Sequence, residues 1–394
     1  MIDFSLTTEE QGVLDTVRAF VTKEVMPFES ILLRRAIEGT DPSPGLTSEE
    51  QRALQATGRE VGLWGLDTPE ELGGLNLPPH LRALIYLELG RTFVPFRPGG
   101  HVSSILHLAN DEQKHEYTIP AIEGLRTAEC VAISEPGGGS DVRAMRTTAK
   151  RDGGDYVING EKMWISNGGE ADFIIVFART TDDPGESGIT CFIVDRSMGF
   201  TSKNIPLMGG QDLVAQLTFN NVRVPARNVL GEVNRGFDLL INWVYENRLL
   251  LLSPRNVGAC ERLLQMAIEW SNQRKTFGKL LRERENIAFW IAESDIEIRA
   301  AKLLVLNGAW KATKGMDFRH EAYVAKTYVA RVANQIADRV LQIHGGLGYA
   351  MELPIQRWYR DLRVERIYEG ADEMNLAGMA RNLFKGNIAP GQIF

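Results

Sequence analysis

Apolar residues recur at helical spacing along the first third of the chain. Val13, Val17, Phe20 and Val21 share a face behind Thr7-Thr-Glu-Glu10, which has the chemistry of a helix start. A hydroxyl can cap free N–H groups there, and two carboxylates sit at the positive end of the helix dipole. Thr47-Ser-Glu-Glu50 predicts a second helix in the same way, and Pro27 falls near the end of the first pattern. Gly73-Gly74 and Pro78-Pro79 break the next stretch. Leu81 to Leu89 resumes it, and Pro95, Pro98, Gly99 and Gly100 interrupt before another helix around Val102 to Ala109. Residues 1–125 are expected to form an N-terminal helical domain.

The period changes over residues 126–232. Tyr156-Val-Ile, Asn159-Gly160 and Lys162-Met-Trp-Ile165 read as a hairpin turning at Asn-Gly. Phe173 to Ala178 and Ile189 to Val194 read as strands buried on both faces, joined by the polar loop Asp182 to Gly188. Leu213, Ala215, Leu217 and Phe219 alternate with more polar neighbours, as in a half-buried strand. Strands this close, without helices between them, predict an antiparallel barrel or sandwich and not a βαβ fold.

Residues 233–394 return to helical spacing. Val324, Tyr328, Val332, Ile336 and Val340 form one row, and Ala325, Val329, Ala333, Ala337 and Leu341 the next. Ile287, Trp290, Ile291, Ser294 and Ile298 form a similar stripe earlier. Both are read as core packing of a helical bundle.

The 394 residues allow two or three domains, with a core that needs no covalent staples. A net charge of −7 and the absence of any dense Lys/Arg run argue against a nucleic-acid partner. Cys130, Cys191 and Cys260 are dispersed and odd in number, which speaks against a disulfide framework or zinc site. No metal site is expected from the six histidines either. The N-terminus has neither basic nor apolar leader character, and no apolar run could span a bilayer, so a cytoplasmic location is expected.

Several segments carry candidate chemistry. Glu135-Pro-Gly-Gly-Gly-Ser-Asp141 is either a surface loop or a backbone cradle for an anion. Trp164 is by residue type a core residue first, and a platform for a planar cofactor second. Arg274-Lys-Thr-Phe-Gly-Lys279 combines cations with one ring, suited to a phosphate and a stacked base, or is a solvated turn. His344-Gly-Gly-Leu-Gly-Tyr349 could be only a helix cap. Glu369 beside Gly370 could project a carboxylate where the chain turns sharply, although a lone Glu is usually solvated. No Rossmann or P-loop signature is present.

Taken together and in this order, these segments resemble the acyl-CoA dehydrogenase family of flavoproteins. The likeness also covers Pro69-Glu-Glu-Leu-Gly-Gly74, Glu88-Leu-Gly-Arg91, Arg223-Val-Pro225 and Tyr368-Glu-Gly370. It implies a multidomain α+β fold: an N-terminal helical domain, a middle antiparallel β-barrel and a C-terminal four-helix bundle. It also implies FAD. Ser134 would bond the flavin pyrimidine edge, with Gly139 and Ser140 on the pyrophosphate side. Trp164 would flank the isoalloxazine, and Ser166 would bond near N5. Arg274 and Phe277, with Gln342 and Gly346, would reach the FAD of a neighbouring subunit. That requires at least a dimer and points to a homotetramer.

The Arg248 region would contact the CoA moiety, with Tyr368 and Gly370 also at the substrate. Glu369 would be the catalytic base of α,β-dehydrogenation of an acyl-CoA thioester to the trans-2-enoyl-CoA. Electrons would pass to an electron-transfer flavoprotein. Ala371, Glu373 and Glu285 depart from the family pattern on the adenosine side of FAD, and Asp372 is a second nearby carboxylate. The stretch from Arg248 to Gly258 does not register with the pattern, which leaves room for a helix irregularity. Phe93 to Gly100, the expected pocket segment, sets no acyl length. Two other readings stand beside it: a flavin-dependent oxidase of the acyl-CoA or nitroalkane type on the same scaffold, and, from a different class, a non-catalytic acyl-CoA- or flavin-binding assembly factor.

Overall fold

The computed structural model describes residues 3–127, 130–181, 188–210 and 213–393. Most of the expected loop from Asp182 to Gly188 lies outside them. Helix α1 (Thr8–Phe20) begins as the sequence predicts. The Thr7 hydroxyl accepts from the Glu10 N–H, and the Glu10 carboxylate accepts from the Thr7 N–H at 2.9 Å. A π-helical turn, Val21–Val25, leads through Pro27 into α2 (Phe28–Glu38). Thr47 and Glu50 make the same capping box at the start of α3 (Ser48–Glu60). Then come α4 (Pro79–Leu89) and the short α5 (Asp111–Gln113) and α6 (Ile119–Ile122). The helix expected around Val102 to Ala109 is a 3₁₀ segment, Ser104–Leu108.

The middle of the chain forms one eight-stranded sheet. Its strands are β1 (Val131–Ala132), β2 (Thr148–Asp152), β3 (Asp155–Ser166), β4 (Phe173–Arg179), β5 (Ile189–Asp195), β6 (Thr201–Ile205), β7 (Val214–Pro225) and β8 (Val229–Leu230). The order is β6-β7-β3-β2-β4-β5-β8, and β1 pairs with β4. The expected antiparallel barrel is therefore corrected to an open, mixed sheet: β6 and β8 are its edges, and β1 and β2 pair with β4 in parallel. Thr-Ser-Lys-Asn on β6 suits an exposed edge, and β8 offers only two residues for pairing.

The expected hairpin at Asn159-Gly160 is also corrected. Both residues lie inside β3, where the register against β7 shifts. Gly160 has φ 145°, and a Cβ there would lie 2.6 Å from the Thr147 hydroxyl, so glycine admits a close crossing and makes no turn. The turn falls earlier, at Gly153-Gly154 between β2 and β3.

Strands β4 and β5 are buried on both faces, as their unbroken apolar runs predict. Ile174, Val176 and Phe192 pack toward β3 and β7, whereas Phe173, Ile175 and Cys191 pack against Tyr117, Leu106 and Leu240. The sheet is thus clamped between its own far strands and helical segments from both ends of the chain.

The rest is helical: α7 (Gly236–Asn247), a π-helical turn Arg248–Leu252, α8 (Ser253–Gln273), a hairpin of β9 (Lys275–Thr276) and β10 (Lys279–Leu280), α9 (Glu285–Thr313) and α10 (Arg319–His344). Then follow α11 (Gly346–Tyr349), α12 (Pro354–Asp361) and α13 (Asp372–Phe384). The irregularity anticipated after Arg248 is this π turn. The predicted stripes are core: Val329, Val332, Ala333, Ile336 and Val340 of α10 and Ile298 of α9 are buried. The C-terminal helices α8, α9 and α10 pack on one another, and other helices join the same core. Helix α4 packs on α8 and α9, α12 and α13 pack on α10, and one core joins Val17, Phe20 and Ile85 to Leu263, Val305 and Ile336. Among the described residues no helix is long and apolar enough to cross a membrane.

Candidate active site

Between a 3₁₀ segment, Leu362–Arg366, and the start of α13 the chain reverses at Glu369 and Gly370. Their φ angles are 52° and 84°. The left-handed region suits Gly370 but costs a glutamate of order 1 kcal/mol, so surrounding contacts must impose it. Three donors do so. Arg248 Nε donates to the Glu369 carbonyl oxygen at 2.5 Å. Lys326 Nζ and Asn375 Nδ2 both donate to the Gly370 carbonyl, at 2.7 and 2.8 Å. A Cβ on Gly370 would lie 2.3 Å from Arg248 Nη2, so the guanidinium fills the space that a side chain would need.

Arg248 is buried on the π-helical turn. Its guanidinium lies 5.7 and 5.5 Å from the Tyr245 and Tyr323 ring centroids, and the two hydroxyls are 2.7 Å apart. Arg248, expected near the CoA moiety, grips the backbone of Glu369. Burial draws Lys326 down to about 8, partly offset by Glu365.

These supports leave the Glu369 side chain uncommitted. Its Oε2 is buried and meets no hydrogen-bond donor. Burial pushes its pKa up to about 6; Arg248 and Lys326 oppose the shift, and Glu365 adds to it. Tyr368 turns away and donates to Glu365 Oε1 at 2.8 Å. Asp372, a second carboxylate of the segment, is engaged at Oδ2 by both Arg331 and Arg366, at 3.0 and 2.9 Å, while its buried Oδ1 has no donor either. A carboxylate with a raised pKa and one buried oxygen that meets no donor is equipped to take a proton.

The glycine loop is built differently from its sequence reading. Glu135 is not presented to a ligand: it accepts from the Arg146 and Thr147 N–H groups and from the fully buried Lys162, at 2.7, 2.9 and 3.0 Å. Burial opposes ionisation of Glu135, but Lys162 and the two N–H groups hold it below the usual range. None of Gly137, Gly138 and Gly139 has a positive φ. Open space is the distinctive property of Gly137 and Gly138, where no atom lies within 4 Å of a would-be Cβ. At Gly139 a Cβ would come 3.3 Å from the Ser134 hydroxyl, so these two predicted residues adjoin, with exposed Ser140 next in the loop.

The Ser134 carbonyl accepts from Met163 at 2.8 Å, which brings the loop beside Trp164. Trp164 sits in a break of register between Lys162 and Ile165, with φ 64° and 54% exposure. Its reading as core is thereby corrected: the break turns a large ring outward. Ser166 follows on the same strand, paired with Val214.

Arg274 and Phe277 lie in and beside the β9–β10 hairpin. Phe277 has φ 48° and is 98% exposed. The Trp270 and His344 rings stack at 5.5 Å, so the end of α8 that leads to Arg274 lies against the end of α10 that carries exposed Gln342. Gly346 is also exposed and open. The structure therefore groups Arg248, Tyr368, Glu369 and Gly370; then Ser134, Gly139, Ser140, Trp164 and Ser166; then Arg274, Phe277, Gln342 and Gly346. Phe93 and Phe96 of the expected pocket segment are buried in the helical core.

Sequence reasoning missed Lys326, Asn375, Tyr245, Tyr323 and Lys162. A lysine inside the apolar face of α10 was the available signal for Lys326, since such a charge needs a partner.

Comparison with known proteins covers the whole chain. Three family profiles match: the acyl-CoA dehydrogenase N-terminal domain over residues 7–124, the middle domain over 130–222 and the C-terminal domain over 234–384. (R)-benzylsuccinyl-CoA dehydrogenase of Thauera aromatica is 33% identical, with 97% of each chain covered. An acyl-CoA dehydrogenase of Bacillus subtilis is 31% identical, covering 97% of this chain and 99% of its own. Among solved structures, butyryl-CoA dehydrogenase from Megasphaera elsdenii superimposes with a TM-score of 0.85 at 30% identity, covering 97% of this chain and 100% of its own. With these matches along its whole length, the chain belongs to the acyl-CoA dehydrogenase family of flavin-dependent oxidoreductases acting on CH–CH groups.

Proposed function

We propose that the protein binds FAD and dehydrogenates an acyl-CoA thioester between its α- and β-carbons, with Glu369 as the base. One observation carries this reading: the buried, unpaired Oε2 of Glu369 on a turn whose backbone is tied down from three sides. Glu369 takes the α-proton onto that oxygen. Its own backbone N–H donates to the thioester oxygen, where negative charge grows. Burial of Oε2 keeps water from that oxygen and raises its basicity.

The residues present fit FAD. Trp164 offers an exposed ring to a planar group, and Gly137 and Gly138 leave open space for close approach. When bound there, FAD would supply the acceptor for the hydride leaving the β-carbon. Ser134, Gly139, Ser140, Trp164 and Ser166 would hold it within one subunit. Arg274, Phe277, Gln342 and Gly346 would serve the FAD of a second copy, which makes the enzyme at least a dimer and, in this proposal, a tetramer. Exposed Phe277, with apolar Phe289 and Ile296 exposed on nearby α9, supports such an association. Exposed Glu373 and Glu285, with Ala371, lack the donors that the adenosine side commonly uses. The division 1–125, 126–232 and 233–394 belongs to the same proposal, as does an electron-transfer flavoprotein as acceptor.

The experiment is anaerobic addition of acyl-CoA thioesters to the FAD-loaded protein. Loss of flavin absorbance with at least one thioester is expected. Rapid reoxidation by air with peroxide release would move the assignment to an oxidase.

A further inference from the structure

α4, the segments before and after it, and α7 with its π-helical turn enclose a cavity of about 20 Å³. Its lining is mixed: Tyr86, Trp243, Leu250 and Leu251 supply apolar wall, and Asp67, Arg82, His101 and Glu246 bring four charged or titratable groups into it. Arg82 is 9% exposed and donates from Nη2 to Glu246 at 3.1 Å; Asp67 lies 3.7 Å from its Nη1. His101 Nδ1 is 2.8 Å from Asp67. Burial opposes ionisation of Asp67, but His101 and Arg82 hold it down to about 2. Arg82 Nε is buried and has no acceptor. Leu250 and Leu251 of its wall share a π-helical turn with Arg248, whose Nε holds the Glu369 backbone, so one turn of helix links the cavity to the candidate base.

The geometry points to a specificity site for the far part of the acyl group, resting on the acyl-CoA reading above: the substrate carries a neutral hydroxyl beyond its β-carbon, and Arg82 Nε donates to that oxygen. The space admits about one water-sized group. A bare hydrocarbon end would leave the buried Nε without a partner. A carboxylate would add a third acid beside Asp67 and Glu246, with one arginine among them. A hydroxyl accepts from Arg82 and donates to a carboxylate, which satisfies both.

The test uses the FAD-loaded Glu369→Gln enzyme, so that binding is read without turnover. Dissociation constants are measured for acyl-CoA thioesters of one length: unsubstituted, hydroxylated at successive carbons beyond the β-carbon, and carboxylate-terminated. One hydroxylated thioester should bind roughly tenfold tighter than the unsubstituted one, the scale of a single buried hydrogen bond. Arg82→Met should abolish that preference. Should it fail to fold, Glu246→Gln, which keeps the side-chain shape, should reduce it. Equal binding of hydroxylated and plain chains, tightest binding of the carboxylate, or a preference that survives both variants would overturn the inference. Binding to the variant without hydroxyl preference, together with flavin bleaching in the wild-type enzyme, would leave the acyl-CoA reading intact, whereas failure to bind any thioester would overturn both.

Discussion

Arg248 and Glu369 are hydrogen-bonded through the backbone and not through the carboxylate: the guanidinium Nε donates to the glutamate's carbonyl oxygen at 2.5 Å, and its charge only partly offsets the effect of burial on the carboxylate. The π-helical turn that carries Arg248 thereby fixes where the base points. Glu369 keeps proton affinity because its strongest neighbour spends its hydrogen bond on the peptide.

Replacing that base should separate chemistry from folding. Glu369→Gln keeps the side-chain shape and should remain folded, while flavin reduction by the best thioester falls by roughly 10²–10⁴. Single-turnover absorbance checks this. A smaller loss would move the base elsewhere, although the two arginines on Asp372 make it a poor substitute.

The pH profile follows from burial. Glu369 stands at about 6 in the fold against an ordinary 4.5. The base works ionised, so kcat/KM should rise with pH and level off above about 6. For stability the sign is opposite. Between 4.5 and 6 the folded state holds the proton that the unfolded state releases, so stability falls as pH rises through that window. Thermal melting should find Glu369→Gln more stable than wild type at pH 7 and level with it below pH 4.5. An acidic limb with its midpoint near 4.5 would refute the assignment.

Gly370 is fixed by two independent constraints, its φ of 84° and the Arg248 nitrogen 2.3 Å from a would-be Cβ. Gly370→Ala should destabilise by about 2 kcal/mol or displace Arg248, with loss of activity in either case. Denaturant melts alongside turnover would show it, and a variant with wild-type stability and rate would contradict the packing described.

Lys162 and Trp164 should behave in opposite ways although two residues apart. Lys162→Met leaves Glu135 buried without its cation and should cost about 3–5 kcal/mol. Trp164→Ala removes an exposed ring and should change stability by no more than about 0.5 kcal/mol, yet weaken FAD retention during dialysis. Equal effects of the two on melting would argue against the outward placement of Trp164.

These contrasts show what pattern alone conveys. Thr7 and Glu10, the two-faced runs Phe173–Ala178 and Ile189–Val194, and the rows on α10 were legible because capping and burial leave local periodic marks. Asn159-Gly160 misled because a glycine that makes room for Thr147 looks like one that makes a turn. Trp164 faces outward only because β3 slips register against β7, a pairing property absent from β3's own sequence. The edges of the sheet depend on which strands fail to meet, so closure was not legible. Glu369 and Gly370 could be named, but the grip of Arg248, Lys326 and Asn375 joins residues up to 121 apart.

The most direct test of Glu369 as base compares anaerobic visible spectra of the FAD-loaded wild type and Glu369→Gln proteins on addition of the same acyl-CoA thioesters. The account predicts flavin bleaching in the wild type with at least one thioester and none on that timescale in the variant. Bleaching at equal rates in both proteins, or in neither with any thioester, would contradict it.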